Sequence, residues 1–419
     1  MTEGLQIAML VSIATAYLWA LTVRKSLSLV QFRVAFVGMA AIFGISPIVV
    51  AVSRNQDLGL SDYSRFALYA IAMVCFIVAY EITRPAAHHG AAEDNYDPLF
   101  RVVGWTFILA GVLAFGVLVD RYGLEFFWMA KSDVYLLSEE LGPEKFAKDL
   151  AMTGAIILGY DACRRRRLNV STFLVYVGTL VLGVVLSRRS MLLTMLAALA
   201  FHYHHAVRPL SGRRLAAACL SFLLVAGTWN QIYGFLLGYT DYSFTFSERN
   251  WWVENNPFDQ LRSSDEIWRN VWGEAPQLGR TYLNAISAAL VPRFLGGTSA
   301  SLSVWYTERY AGELAGTGTG FAFSELVEAY INFGISGPLI LFGVLGFLAR
   351  KVDTMPGQRF LFLRGIGFGS LYVVFLGEFS DLAKFQIPFF IVAPYGLYWV
   401  FSFLRAVMRS AHLGPLPLR

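Results

Sequence analysis

The stretch Val102-Val103-Gly104-Trp105-Thr106-Phe107-Ile108-Leu109-Ala110-Gly111-Val112-Leu113-Ala114-Phe115-Gly116-Val117-Leu118-Val119 carries no charged side chain. About twenty such residues wound as a helix cross the roughly 30 Å hydrocarbon core of a bilayer. The helical form follows because every backbone amide must be paired where there is no water. Comparable runs lie on both sides of it. They are Leu5–Val23, Leu29–Val52, Phe66–Ile82, Leu150–Cys163, Val170–Ser187, Met191–Val207, Leu215–Leu237, Phe323–Ala349, Phe360–Gly377 and Ile387–Leu404. Leu150–Cys163 is short and holds Asp161. Composition agrees: of 419 residues 56% are hydrophobic and 15% charged, with a mean hydropathy of +0.53. A soluble domain carries about a quarter charged residues. The expected fold is therefore all-α, a polytopic transmembrane helical bundle of about eleven spans, with residues 1–419 forming one membrane domain.

Charge orients the bundle. Odd-numbered connections hold Arg24-Lys25, Arg84 with Arg101, Arg164-Arg165-Arg166-Arg167, Arg208 with Arg213-Arg214, and Arg350-Lys351 with Arg359 and Arg364. Arg405, Arg409 and Arg419 follow the last span, whereas even-numbered connections are acidic or mixed, as at Asp57 and Asp62. The bias of Lys and Arg toward the cytoplasm then puts the N-terminus outside and the C-terminus in the cytoplasm. Leu5–Val23 lacks a basic segment before it and reads as a span, not a cleaved signal peptide. The net charge of +5 is accounted for by arginines facing anionic headgroups, so nucleic acid is not an expected partner. Cys75, Cys163 and Cys219 lie in or beside spans and suggest neither a disulfide framework nor a metal site. There is no internal repeat of the kind many secondary transporters are built from.

Between the eighth and ninth spans the chain turns polar over Gly238–Ala322, and long loops are where function tends to sit. This long helical extracytoplasmic loop holds Trp251, Trp252, Trp268, Trp272 and Trp305, with Arg249, Arg262, Arg269, Arg280, Arg293 and Arg309. Rings that stack on pyranose faces and guanidinium forks that grip phosphate oxygens suit a sugar diphosphate. The alternative for each is an interfacial aromatic belt with solvated charge. Tyr282–Val291, ended by Pro292, reads as one amphipathic helix at the interface. Two further features stand out. Spans six and seven are joined by Ser187-Arg188-Arg189-Ser190 on the external side, against the charge bias, so the pair is a candidate ligand of anionic substrate or a headgroup anchor. The glycine-rich entry Gly316-Thr317-Gly318-Thr319-Gly320 leads into the ninth span, where Glu325 and Glu328 share a helix face near its start. Glu325 suits the helix dipole; Glu328 lies deeper.

Gly279-Arg280-Thr281-Tyr282 through Val291-Pro292-Arg293, then Thr307-Glu308-Arg309-Tyr310, then Glu328-Ala329-Tyr330-Ile331-Asn332-Phe333-Gly334 with Gly337, resemble the bacterial O-antigen polymerases of the Wzy type. The Ser187-Arg188 junction is similar to a motif shared with O-antigen ligases. The resemblance covers mainly the last third of the chain. It implies a glycosyltransferase of the bacterial inner membrane that needs no nucleotide sugar, cofactor or metal. Such an enzyme joins oligosaccharide repeat units carried on undecaprenyl diphosphate at the outer leaflet, with membrane lipids and a chain-length regulator protein as further partners. Cations must then neutralise the departing diphosphate, and a base must take the acceptor hydroxyl proton. Arg188, Arg189, Arg280 and Arg293 are the candidates for the first task, and Arg309, Glu325, Tyr330 and Asn332 for substrate binding. Ligases are thought to use a loop histidine. Here His88, His89, His202, His204, His205 and His412 all fall outside the external loop, which makes Glu328 the candidate base. An O-antigen ligase and a transporter or flippase of lipid-linked sugars are the rival expectations.

Reporter fusions test the orientation. Fusions after Arg165 and after Gly357 should report cytoplasm, and one within residues 255–262 the external side. A cytoplasmic signal from the last would overturn the functional expectation, because the donor lies outside.

Overall fold

A computed structural model of the chain describes residues 30–40, 60–85, 97–123, 147–167, 169–185, 189–211, 214, 266–290, 302–314, 323–355, 360–377, 379 and 382–412. Every regular element among them is helical. Of the second expected span, Leu29–Val52, residues 30–40 are described and 32–40 are helical, while Leu5–Val23 and Leu215–Leu237 lie outside the described residues. Then come α1 (Leu60–Ile82), α2 (Leu99–Tyr122), α3 (Ala147–Arg165), α4 (Val170–Val185) and α5 (Arg189–Ala206). Past the polar stretch come α6 (Arg280–Leu290), α7 (Leu302–Tyr310), α8 (Glu325–Phe333), α9 (Ser336–Thr354), α10 (Leu361–Leu376) and α11 (Ala393–His412). Among the described residues three helices are long and apolar enough to cross a membrane: Tyr63–Ile82, Leu99–Tyr122 and Pro388–Arg409. The chain is thus an all-α protein of membrane-embedded character.

Lipid tails are as apolar as leucine, so such helices are held by close packing and small residues more than by water exclusion. The most extensive pairings are α2 with α3, α9 with α1, and α10 with α5. α1 runs parallel to the α8–α9 unit: Tyr69 Oη donates to Ser324 Oγ at 3.3 Å near one end, and Tyr80 Oη to Asp353 Oδ2 at 3.1 Å near the other. Between these, Gly346 of α9 lies directly against the Phe76 backbone, with no room for a Cβ. Phe36 stacks on Phe76 at 4.0 Å and meets the Phe342 ring edge-on, closing the core beside that crossing. Outward, α2, α4, α9 and α11 expose Leu113, Leu174, Ile340 and Phe403, the pattern of a lipid-facing surface.

Three boundaries differ from expectation. Phe323–Ala349 is two helices, because Gly334 takes a left-handed conformation (φ 62°) and caps α8 through Gly334 N to Tyr330 O at 2.7 Å. Pro338 then falls in the first turn of α9, where its missing amide costs nothing. The weak fifth span is a full helix, α3, with Ala155, Ile157, Leu158 and Asp161 buried; its Asp161 is paired with Arg165 one turn on. A residue buried on every side need not be lipophilic on every side, which is why α3 reads poorly by hydropathy. Finally, the last span opens irregularly: π-helical turns at Leu382–Gln386 and Pro388–Val392 precede α11, the second of them inside the expected Ile387–Leu404.

Among the described residues, basic side chains of the connections meet at one end of the bundle. Arg166 Nε donates to Ala206 O, Lys351 Nζ to Arg84 O, and Arg405 pairs with Asp97 at 3.1 Å. The opposite end holds Trp268, whose Nε1 donates to Ser61 O at 2.7 Å, together with Glu325 and Glu328.

Replacing Gly346 by leucine should drive α1 and α9 apart, an overpacking cost of roughly 1–3 kcal/mol or more. Gly343→Leu is the control, since nothing lies within 4 Å of a Cβ there. The thermal unfolding midpoint of purified protein should fall clearly for Gly346→Leu and little for Gly343→Leu; equal midpoints would refute the close crossing.

Candidate functional site

α8 is short, yet it is buried along nearly its whole length, including Glu325, Glu328 and Asn332. Its start is satisfied by Ser324, whose Oγ accepts from Val327 N at 3.4 Å. Its end is satisfied from outside: Gln277 N donates to Ile331 O at 2.9 Å and Leu278 N to Asn332 O at 2.8 Å. The loop before α6 thus pairs the terminal carbonyls that every helix leaves open. Leu278 and Gly279 make the turn into α6 with φ of 52° and 83°.

That turn brings α6 onto Glu328. Thr281 Oγ1 donates to Glu328 Oε1 at 2.7 Å. On the other side, Phe379 N donates to Glu328 Oε2 at 2.7 Å. Both carboxylate oxygens therefore accept, as an ionised carboxylate does, and the residue is 1% exposed. Asn332 completes the knot. Its Nδ2 donates to Thr281 Oγ1 at 2.6 Å and to Glu328 O at 2.9 Å, while its Oδ1 accepts from Thr281 N at 3.2 Å. Tyr282 lies over the knot between Phe333 and Phe379. Burial, then the charges of Glu325 and Glu328, push its phenol far above the ordinary range, so it is a neutral hydroxyl.

Two residues past Glu328, α8 also carries an aromatic cluster. Tyr330 stacks on Trp272 at 5.4 Å and contacts Trp268 at 4.6 Å; its hydroxyl accepts from Gly273 N at 3.1 Å. Trp268 is wholly buried and serves packing, whereas Trp272 is half-buried. One residue past Gly273, Glu274 pairs with Arg309 at 2.6 Å. Arg309 also bonds Tyr310 Oη at 3.1 Å and lies 5.9 Å from the Trp305 ring centre. Beneath Trp305 and Arg309, the neighbouring Tyr306 accepts from Asn270 Nδ2 at 2.6 Å. Burial raises the Tyr306 phenol and that hydrogen bond opposes the rise.

The structure thus brings Glu325, Glu328, Tyr330 and Asn332 together on α8, with Arg280 exposed at the first position of α6, next to Thr281. Arg309 stands exposed at the margin. Arg188 and Arg293 lie outside the described residues, and of Arg189 only the backbone, opening α5, is described. Three partners were not singled out from sequence. Thr281 sits inside a quoted motif and was within reach. The Phe379 amide is backbone and leaves no side-chain signal. Arg65, buried on α1 with its guanidinium 5.9 Å from the Tyr69 ring centre, needed the α1–α8 pairing to be seen. Among the described residues no group of His, Cys, Asp and Glu could hold a metal ion. His202 packs against Phe362 and Tyr160, away from α8.

Asn332→Leu removes two donors and the acceptor for Thr281 N, leaving buried polar groups unpaired at a cost of roughly 1–3 kcal/mol each. The thermal midpoint should fall further than for Thr281→Val. An Asn332→Leu protein as stable as the parent would show that the knot does not hold α6.

No family model matches the chain, and no curated protein and no solved structure matches it either, so any functional reading stands on the geometry around Glu328 and on the motif resemblance.

Proposed function

We propose that this chain is a glycosyltransferase that polymerises undecaprenyl-diphosphate-linked oligosaccharide repeat units. The product is O-antigen or exopolysaccharide, and the reaction takes place at the outer face of the bacterial inner membrane. In this reading the chain has about eleven spans, its N-terminus outside and its C-terminus in the cytoplasm, and Gly238–Ala322 faces outward. The observation that carries the proposal is the buried Glu328 carboxylate, accepting from Thr281 and from the Phe379 amide, with Arg280 adjoining Thr281 on α6 and Tyr330 of the same helix α8 stacked on Trp272.

In the reaction the acceptor sugar hydroxyl attacks the anomeric carbon of the donor. The bond from that carbon to the diphosphate oxygen breaks, and the hydroxyl proton passes to Glu328. A carboxylate oxygen has a second lone pair beside the one already engaged, so Glu328 can take a proton while still held. Its burial means that the acceptor must displace α6 at Thr281 to reach it. Arg280, with Arg188, Arg189 and Arg293, neutralises the charge growing on the diphosphate, and a planar guanidinium grips two oxygens at once. Glu325, Tyr330, Asn332 and Arg309 shape the sugar site. A ligase would use the same bond change with a lipid A core acceptor.

Purified protein given defined lipid-linked repeat units should yield a ladder of polymer. Glu328→Gln should lower the rate roughly 10²–10⁴-fold. The amide offers one acceptor and turns an N–H₂ toward one of two donors, so the rate is compared per folded protein. Thr281→Val, which keeps the base, should stay within about tenfold of the parent. A normal ladder from Glu328→Gln eliminates Glu328 as the base; product only on lipid A core acceptors reassigns the enzyme.

A further inference from the structure

On the flank of the bundle, an apolar cavity of about 250 Å³ opens between α9, α10 and the π-helical turns. Phe32, Phe76, Leu345, Val352, Gly367 and Ile391 are among its lining. Its polar side chains satisfy each other, Ser370 Oγ donating to Gln386 Oε1 at 3.0 Å, so nothing in it asks for a polar guest. Leu348 and Ile387 line it too and are 48% and 43% exposed, which opens it sideways onto the lipid-facing surface.

The floor of this cavity adjoins a cluster of charge. Phe32 and Val352 line it; their chain neighbours are Arg33 and Asp353, and Arg364 stands about one turn from Gly367. Arg33 Nη1 is 2.6 Å from Glu81 Oε1, and Asp353 accepts from Phe32 N and Arg33 N. Arg33 and Arg350 flank the Tyr80 ring, their guanidinium carbons 5.2 and 5.1 Å from its centre. Three arginines (Arg33, Arg350, Arg364) against two carboxylates (Glu81, Asp353) leave one positive charge in excess. Lys351, bonded to Arg84 O at 3.1 Å, adds another at the rim. The Nε of Arg33, Arg350 and Arg364 have no hydrogen-bond acceptor among the described residues.

We infer that this cavity and the arginines below it bind one anionic phospholipid. One acyl chain lies between α9 and α10, and the headgroup phosphate rests on the Arg350–Lys351–Arg364 margin. Basic pockets between spanning helices on the cytoplasmic side are built for such headgroups. The volume accommodates a length of one chain, not a headgroup. The lipid is structural: it fills the flank of the α1–α9 crossing and compensates the excess charge. The site is distinct from that at Glu328 and does not rest on the glycosyl-transfer reading.

The test is native mass spectrometry of the purified full chain titrated with dioleoylphosphatidylglycerol, dioleoylphosphatidylcholine or undecaprenyl phosphate. The phosphatidylglycerol should bind about tenfold more tightly than the phosphatidylcholine, about one cation's worth of attraction. Leu345→Phe, which fills the cavity, should weaken phosphatidylglycerol binding at least about fivefold. Leu348→Phe at the exposed rim supplies the same reading should Leu345→Phe not fold. Arg364→Gln should bring the two phospholipids close to equal. Equal binding of both by the parent, or undiminished binding by the filled variants, would overturn the site. Tighter binding of undecaprenyl phosphate, lost in the filled variants, would give the cavity to a prenyl chain and overturn the phospholipid.

Discussion

One carboxylate joins parts of the chain that sequence separates widely. Glu328 on α8 accepts from Thr281 on α6 and from the backbone after α10, and Asn332 one turn on fastens Thr281 a second time. Breaking a buried carboxylate away from its donors is costly, because each group left behind has no water to turn to. The short α8, the loop at residues 276–279 and the helix α6 are consequently one unit. None of them is long enough to persist alone.

Much of this was legible in the residues. Charge-free runs announced the helices, and the basic clusters announced which ends would meet. The Gly279–Tyr282 and Glu328–Gly334 motifs, far apart in the chain, do lie together. Hidden features fall into two kinds. Some depend on context: α3 carries Asp161 and Asp149 because its neighbours cover it, and hydropathy read one residue at a time cannot register neighbours. Others leave no side-chain trace, as with the Phe379 amide, or depend on a single φ angle, as with Gly334. A glycine in an apolar run permits a break without requiring one.

The two ends of the bundle manage charge differently. At the Glu328 end, a buried carboxylate is held by neutral donors, a hydroxyl and an amide. At the Asp353 end, carboxylates and arginines hold each other, with an aromatic ring between cations and backbone amides on Asp353. Asp161, also buried, is instead paired with Arg165, whereas both Glu328 oxygens accept from uncharged donors.

The two wide turns at Leu382–Val392 bear on the ancestry of the last helix. An extra residue pushed into an α-helix rotates everything beyond it by about 100°, and π winding is how a chain absorbs the addition in place. Shortening that segment by one residue would swing α11 about its own axis. Tyr398 and Arg405 would leave Asp97, and Trp399 and Phe403 would no longer point where they now do. The loosened winding is thus a phase adjuster, and length variation among descendants of this chain is more easily tolerated there than in α3 or α9.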